Sequence, residues 1–248
     1  MRRLAAGRGD EGTTITELLV VMFILSLIIT ATVTLSIGLE RTNAETMSRQ
    51  DQIDVARTAV ERMSKTLRSA VKPVQLTSVC GECDGDAFIW ADGTSIRFFA
   101  NLNNEGGSTG PSLITYAVAT TGPDAGVLVE EAQRPDDPKP SPTLGFEYCD
   151  AEAPGASEEC KSQLTTRRLA EGVVTTQGPV FTYFNAAGTQ FVLGAGGLVG
   201  DELAQILSIE LKLTVQGQEA TQAQPTTYIQ RILLPNSQAV LRGVEETP

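Results

Sequence analysis

The chain has 248 residues, enough for one sizeable core or one core plus an appendage, and a formal charge of −11 with a pI of about 4.6. It contains no histidine, which removes the commonest general base and metal ligand and excludes Ser-His-Asp, Cys-His and His-based zinc chemistry. The acidity disfavours a phosphate backbone as partner, no nucleic acid is expected, and the one basic cluster is Arg167-Arg168.

Residues 1–12, MRRLAAGRGDEG, are short, polar and net positive; Leu18 to Ile37 then run without a charge. Twenty largely apolar helical residues at about 1.5 Å each span a hydrocarbon core of about 30 Å. The arginines in front favour a cytoplasmic N-terminus and an extracytoplasmic remainder. A cleavable secretory signal needs a shorter apolar stretch and a small-residue cut site, whereas Gly38-Leu39-Glu40-Arg41 follows here. A plain signal anchor accounts for the span but not for Glu17. A carboxylate at the edge of a membrane span costs a few kcal/mol unless paired, and one helix alone offers it no partner.

The run Gly12-Thr13-Thr14-Ile15-Thr16-Glu17-Leu18-Leu19-Val20-Val21 resembles the prepilin-type cleavage and methylation signature of type IV pilins and type II secretion pseudopilins. The resemblance implies cleavage by a prepilin peptidase after Gly12, N-methylation of Thr13, and pairing of Glu17 with the new amine of a neighbouring subunit. Thr13 stands where the family usually has an aromatic residue or Met. Implied partners are the peptidase, other pilins or pseudopilins, membrane lipid before assembly and, indirectly, an inner-membrane platform protein and an assembly ATPase. The implied location is the cytoplasmic membrane, single-pass, and then an extracellular filament.

From Arg49 to Val71 apolar residues recur at Ile53, Ala56, Val60, Met63, Leu67 and Val71, opposite Arg57, Glu61, Lys65 and Arg68, and Pro73 ends the pattern. The spacing predicts one helix over 14–72, about 85–90 Å long, apolar all round in its first half and amphipathic in its second. Thr30, Thr32, Thr34 and Ser36 lower helix propensity within the span, so local unwinding during assembly is expected.

Beyond Pro73 short alternating runs with Gly, Asn and Asp breaks predict strands at 87–90, 95–99, 113–118, 126–130, 180–184, 190–193, 209–215 and 227–234, with a last piece at 239–242. Asp92-Gly93 and Asn185-Ala186-Ala187-Gly188 mark hairpins, and a short helix falls near 201–207. The order from Phe181 to Val215 resembles the C-terminal half of larger minor pilins and J-type pseudopilins. The fold class is therefore α+β: a long N-terminal helix packed on an antiparallel β-sheet head, the pilin-like lollipop. Its parts are a leader (1–12), a transmembrane and assembly helix (13–37), an amphipathic continuation (38–72) and a β-rich head (73–248) with a proline-rich surface excursion over 131–162.

Cys80, Cys83, Cys149 and Cys160 allow three pairings. Outside the membrane thiols oxidise, and the local pairs Cys80–Cys83 and Cys149–Cys160 are expected. A four-cysteine zinc site fits the ten-residue spacing of the second pair poorly, and a thioredoxin-like role for Cys80-Gly81-Glu82-Cys83 lacks the strand-to-helix setting. Gly194 to Gly200 misses the dinucleotide-binding spacing and predicts a loop. Asp84 and Asp86 could ligate calcium but read as solvated turn residues; no other cofactor and no metal site is expected.

The leading reading is a structural minor pilin or pseudopilin that joins or primes a filament. A filament-tip adhesin or DNA-uptake receptor on the same anchor is the alternative, with the excursion as its contact surface. A hydrolase would need a carboxylate pair, and none stands out, so no catalytic residue is assigned.

Overall fold

In a computed structural model, residues 14–76, 85–102, 104, 109–141, 145–217 and 224–235 are described. The chain divides into two compact units, Met1–Met47 and Ser48–Pro248, and a single helix, α1 (Ile15–Leu67), belongs to both. In the first unit every described residue is exposed. In the second, α1 buries Gln52, Ala56, Ala59, Val60, Met63, Ser64, Thr66 and Leu67. The buried stripe is thus offset from the apolar reading at one place: Ile53 is 43% exposed and its polar neighbour Gln52 faces inward. The Gln52 Oε1 accepts a hydrogen bond from the Thr226 hydroxyl at 2.8 Å, while its Nε2 is buried without a partner among the described residues.

The helix stops at Leu67, five residues short of the expected end at Lys72. Its last turn tightens through Ser69 N–H to Thr66 O (2.9 Å) and Ala70 N–H to Leu67 O (3.1 Å). The chain then joins a sheet: Ala70 bridges to Ala100 and Val71 N–H donates to Phe99 O. Sheet pairing offers these residues' backbone groups partners that one more helical turn would take away. Pro73 sits in a short 3-10 turn, Pro73–Leu76.

Strands β1 (Phe88–Ala91), β2 (Ser95–Ala100), β3 (Ser112–Val118), β4 (Leu128–Gln133) and β5 (Leu164–Ala170) form an antiparallel sheet in that order. A short helix, α2 (Glu158–Gln163), precedes β5. Strands β6 (Phe181–Phe184), β7 (Ser208–Val215) and β8 (Thr226–Leu233) form a second antiparallel sheet, with α3 (Asp201–Ala204) between β6 and β7. Among the described residues the head therefore contains two sheets rather than one. Residues 190–193 contribute only a bridge from Gln190 to Phe184, the expected piece at 239–242 lies outside the described residues, and the short helix covers four residues. Strand β5 and α2 are additional to the expected elements.

Alternate residues of both sheets and the second part of α1 share one core. Ile96, Phe98, Ile114, Tyr116 and Leu128 come from the larger sheet and Phe181, Tyr183, Ile209, Leu211, Leu213 and Ile232 from the smaller. Two close backbone approaches join the sheets, and both need glycine. Gly172 (φ 71°) accepts from Gln216 N–H at 2.9 Å, and a Cβ there would lie 2.1 Å from Gln216 O. Gly197 (φ 72°) lies beside the bond from Leu198 N–H to Ala91 O, and a Cβ there would lie 2.6 Å from that oxygen. The glycine-rich run at 194–200 thus holds a backbone against the edge of β1 and buries Leu198.

Candidate functional site

Glu17 lies in the first turn of α1, where a carboxylate complements the helix dipole. The Thr14 hydroxyl caps that turn by accepting from Glu17 N–H at 3.3 Å. The Glu17 side chain is exposed and has no hydrogen-bond or ion-pair partner among the described residues. Gly12 and Thr13 lie outside the described residues. From Leu18 onward the apolar side chains point outward all round the helix, with Leu19, Phe23, Leu27 and Leu35 each more than half exposed. This is the one helix among the described residues long and apolar enough to cross a membrane, and none of that stretch is buried.

Four hydroxyl groups in the stretch are satisfied inside the helix. Ser26 donates to Phe23 O, Thr30 to Ser26 O, Thr32 to Ile28 O and Thr34 to Thr30 O, all at 2.7–3.0 Å. Such back-bonding lets a threonine face lipid without an orphaned donor. Here α1 is continuous across the threonines that lower its propensity.

In the head, α1 is tied to the larger sheet by a charged contact. Arg62 grips Glu130 of β4, with Nε 3.0 Å from both carboxylate oxygens and Nη2 2.5 Å from Oε1. The Tyr116 hydroxyl donates to Oε2 of the same carboxylate at 2.8 Å. Burial, and then the nearby Glu130 charge, push the Tyr116 phenol far up, so it stays a donor. Helix and smaller sheet meet through Gln52 with Thr226 and Ser64 with Gln230. Sequence reading missed Glu130 because it occupies a core-facing strand position that the local pattern gives to an apolar residue.

The expected bridge Cys149–Cys160 is formed, with its Cα atoms 6.0 Å apart. Cys80 and Cys83 lie outside the described residues. Cys160 sits in α2, capped by Ser157, and the excursion is pinned at three further points. The Tyr148 hydroxyl donates to Pro111 O at 2.6 Å, the Gln133 amide donates to Cys149 O, and Asp136 N–H donates to Glu147 O. The excursion is a bridged, hydrogen-bonded lobe starting after β4, three residues later than the expected boundary.

Of the calcium candidates, Asp86 pairs with Lys72 at 3.1 Å and Asp84 lies outside the described residues. Among the described residues no three acidic or sulfur side chains gather as a metal site. Arg168 is engaged by Asp124 and Glu171. At the β1–β2 turn, Asp92 accepts from Thr94 N–H, Ser95 N–H and the Ser95 hydroxyl and from the Trp90 indole N–H at 2.8 Å. Burial pushes the Asp92 carboxyl up, but these donors together outweigh it and hold it below the usual carboxylate range. The Tyr183 hydroxyl donates to Asp92 O at 2.8 Å and so braces this turn from the smaller sheet. No family model matches the chain, no curated protein matches it, and no solved structure matches it.

Proposed function

We propose that the chain is a structural minor pilin or pseudopilin, cut after Gly12 by a prepilin peptidase and assembled through α1 into a type IV pilus-like filament. The observation that carries this reading is Glu17: an unpartnered carboxylate at the start of an apolar helix, five residues after a glycine that ends a basic leader. Cleavage would leave a cationic amine on Thr13. In a bundle of apolar helices, where attraction between opposite charges is strong, that amine of one subunit and Glu17 of the next pair and set the register. The exposed apolar surface of residues 18–37 supports both states this life cycle needs, first lipid and then neighbouring helices.

The chain's own chemistry in this role is recognition and packing rather than catalysis. Its partners are the peptidase, other subunits of the filament, and the platform protein and ATPase that drive assembly. The test uses the host cell: filaments are sheared from the surface and probed for this chain, in wild type and Glu17→Ala. The wild type is expected in the sheared fraction and the variant only in the membrane. Wild-type protein absent from the sheared fraction, or a variant that assembles equally, overturns the reading.

A further inference from the structure

A cleft of about 390 Å3 lies on the face of the larger sheet that points away from the core. The pairing of β2, β3 and β4 places Arg97, Thr115 and Glu131 directly opposite one another across three strands. Residues 148–152 of the bridged lobe form the facing wall, with Glu152 at the rim. The Cys149–Cys160 bridge and the bonds from Tyr148 to Pro111 and from Gln133 to Cys149 fix that wall, so the cleft is pre-formed.

Gln133 and Asp150 in its lining are already bonded, and four other polar side chains are unspent. Among the described residues the side chains of Arg97, Thr115, Glu131 and Glu152 make no hydrogen bond or ion pair. Burial and then the Glu152 charge push the Glu131 carboxyl up, and Arg97 offsets this only in part. This mixture of charges selects the ligand. A cation drawn to Glu131 and Glu152 meets Arg97, and an anion drawn to Arg97 meets these two carboxylates and that of Asp150, which already accepts from Glu152 N–H. A hydroxyl both donates and accepts, so a polyhydroxylated neutral molecule satisfies every group at once.

Trp90 extends the same row, opposite Arg97 in register. Its side chain is held by hydrogen bonds to Asp92 (2.8 Å) and the Ser95 hydroxyl (2.9 Å), yet the residue remains 40% exposed. A fixed, exposed indole offers an apolar face to the C–H face of a sugar ring at low entropic cost. From Trp90 to Glu131 is three strand spacings, about 14 Å, the reach of a short chain of sugars rather than one ring.

We propose that this row is a binding site for a neutral oligosaccharide, with one ring on Trp90 and the hydroxyls of the next in the cleft on Arg97, Thr115 and Glu131. The site lies wholly in the head, and the inference does not rest on the filament reading. Because the chain has one tryptophan, its emission reports on Trp90 directly. The full chain in detergent micelles is titrated with cellotetraose, chitotetraose and maltotetraose, and separately with lysine, glutamate and glycine. The expected result is a saturable emission change with at least one tetrasaccharide and none with the charged or zwitterionic compounds. Glu131→Gln and Arg97→Gln, measured by calorimetry, each lower the affinity about tenfold, the loss of a hydrogen bond to a charged group. Arg97 is exposed, so its variant folds as the wild type does and separates lost binding from lost structure. Failure of all three sugars, a response to an amino acid instead, or sugar binding unchanged in both variants overturns the proposal.

Discussion

The two parts of α1 share one backbone geometry and face opposite demands. Residues 15–47 expose every side chain, including a run of large apolar ones, while from Gln52 to Leu67 the helix shows one buried stripe and one charged face. The first part has no core of its own, and its exposed surface is long and apolar enough to cross a membrane. The second is explained by the sheets it packs on. A helix is thus a neutral carrier: what each part is for is written in which of its faces are apolar.

The largest expected effect breaks the first part. Leu25→Arg with Ile28→Arg places two charges in mid-span, at about 2.5–3.5 kcal/mol each on insertion scales. Membrane fractionation is expected to find the variant out of the bilayer, with the head still folded. An Ile53→Arg variant changes neither property, since Ile53 is 43% exposed on the outer face of the second part.

Next comes the tie between helix and sheet. Arg62→Ala leaves the buried Glu130 carboxylate with only the Tyr116 hydroxyl. Urea unfolding is expected to show a loss of about 3 kcal/mol, the lower end for breaking a buried ion pair, because Arg62 itself is partly exposed. Membrane partition is expected to be unchanged, which separates the two parts of the helix cleanly.

The smallest effects are in two carboxylates of the larger sheet. Asp92 has a depressed pKa in the folded state, so its contribution is present above the ordinary carboxylate value of about 3.9 and is lost as the pH falls through the lower folded value. Asp92→Asn is expected to cost about 1–2 kcal/mol at pH 7 and progressively less in acid. Glu131 has a raised pKa, so the sign reverses: its contribution is present below the ordinary value and is lost as the pH rises through the raised one. Glu131→Gln therefore raises the melting temperature slightly at pH 7 and leaves it unchanged in acid. Melting curves across pH read both.

How much of this could be read in advance depended on whether a signal was local. The apolar run from Leu18, the alternation of Ile209, Leu211 and Leu213, and the turn at Asp92-Gly93 are local, and the structure places a helix, a strand and a hairpin there. The pair Cys149–Cys160 is likewise local. Strand β5 was illegible because Thr165, Thr166, Arg167 and Arg168 are all exposed, so no alternation marks them. The early end of α1 was illegible because the competing partner, β2, is about thirty residues away. Glu130, Arg62 and Tyr116 meet from three elements, as do Arg97, Thr115 and Glu131, and such gatherings exist only once strand register is set. Gly12 and Glu17, by contrast, are visible at once, because their meaning lies in their separation along the chain.

That separation is also where the account is most exposed. The full chain is produced in membranes together with a prepilin peptidase, and the mass of its N-terminal peptide is determined. Cleavage after Gly12 predicts a peptide that begins at Thr13, carries one added methyl group and has Glu17 as its fifth residue. A chain that keeps residues 1–12, or one cut beyond the apolar run, contradicts the filament-subunit account at its root.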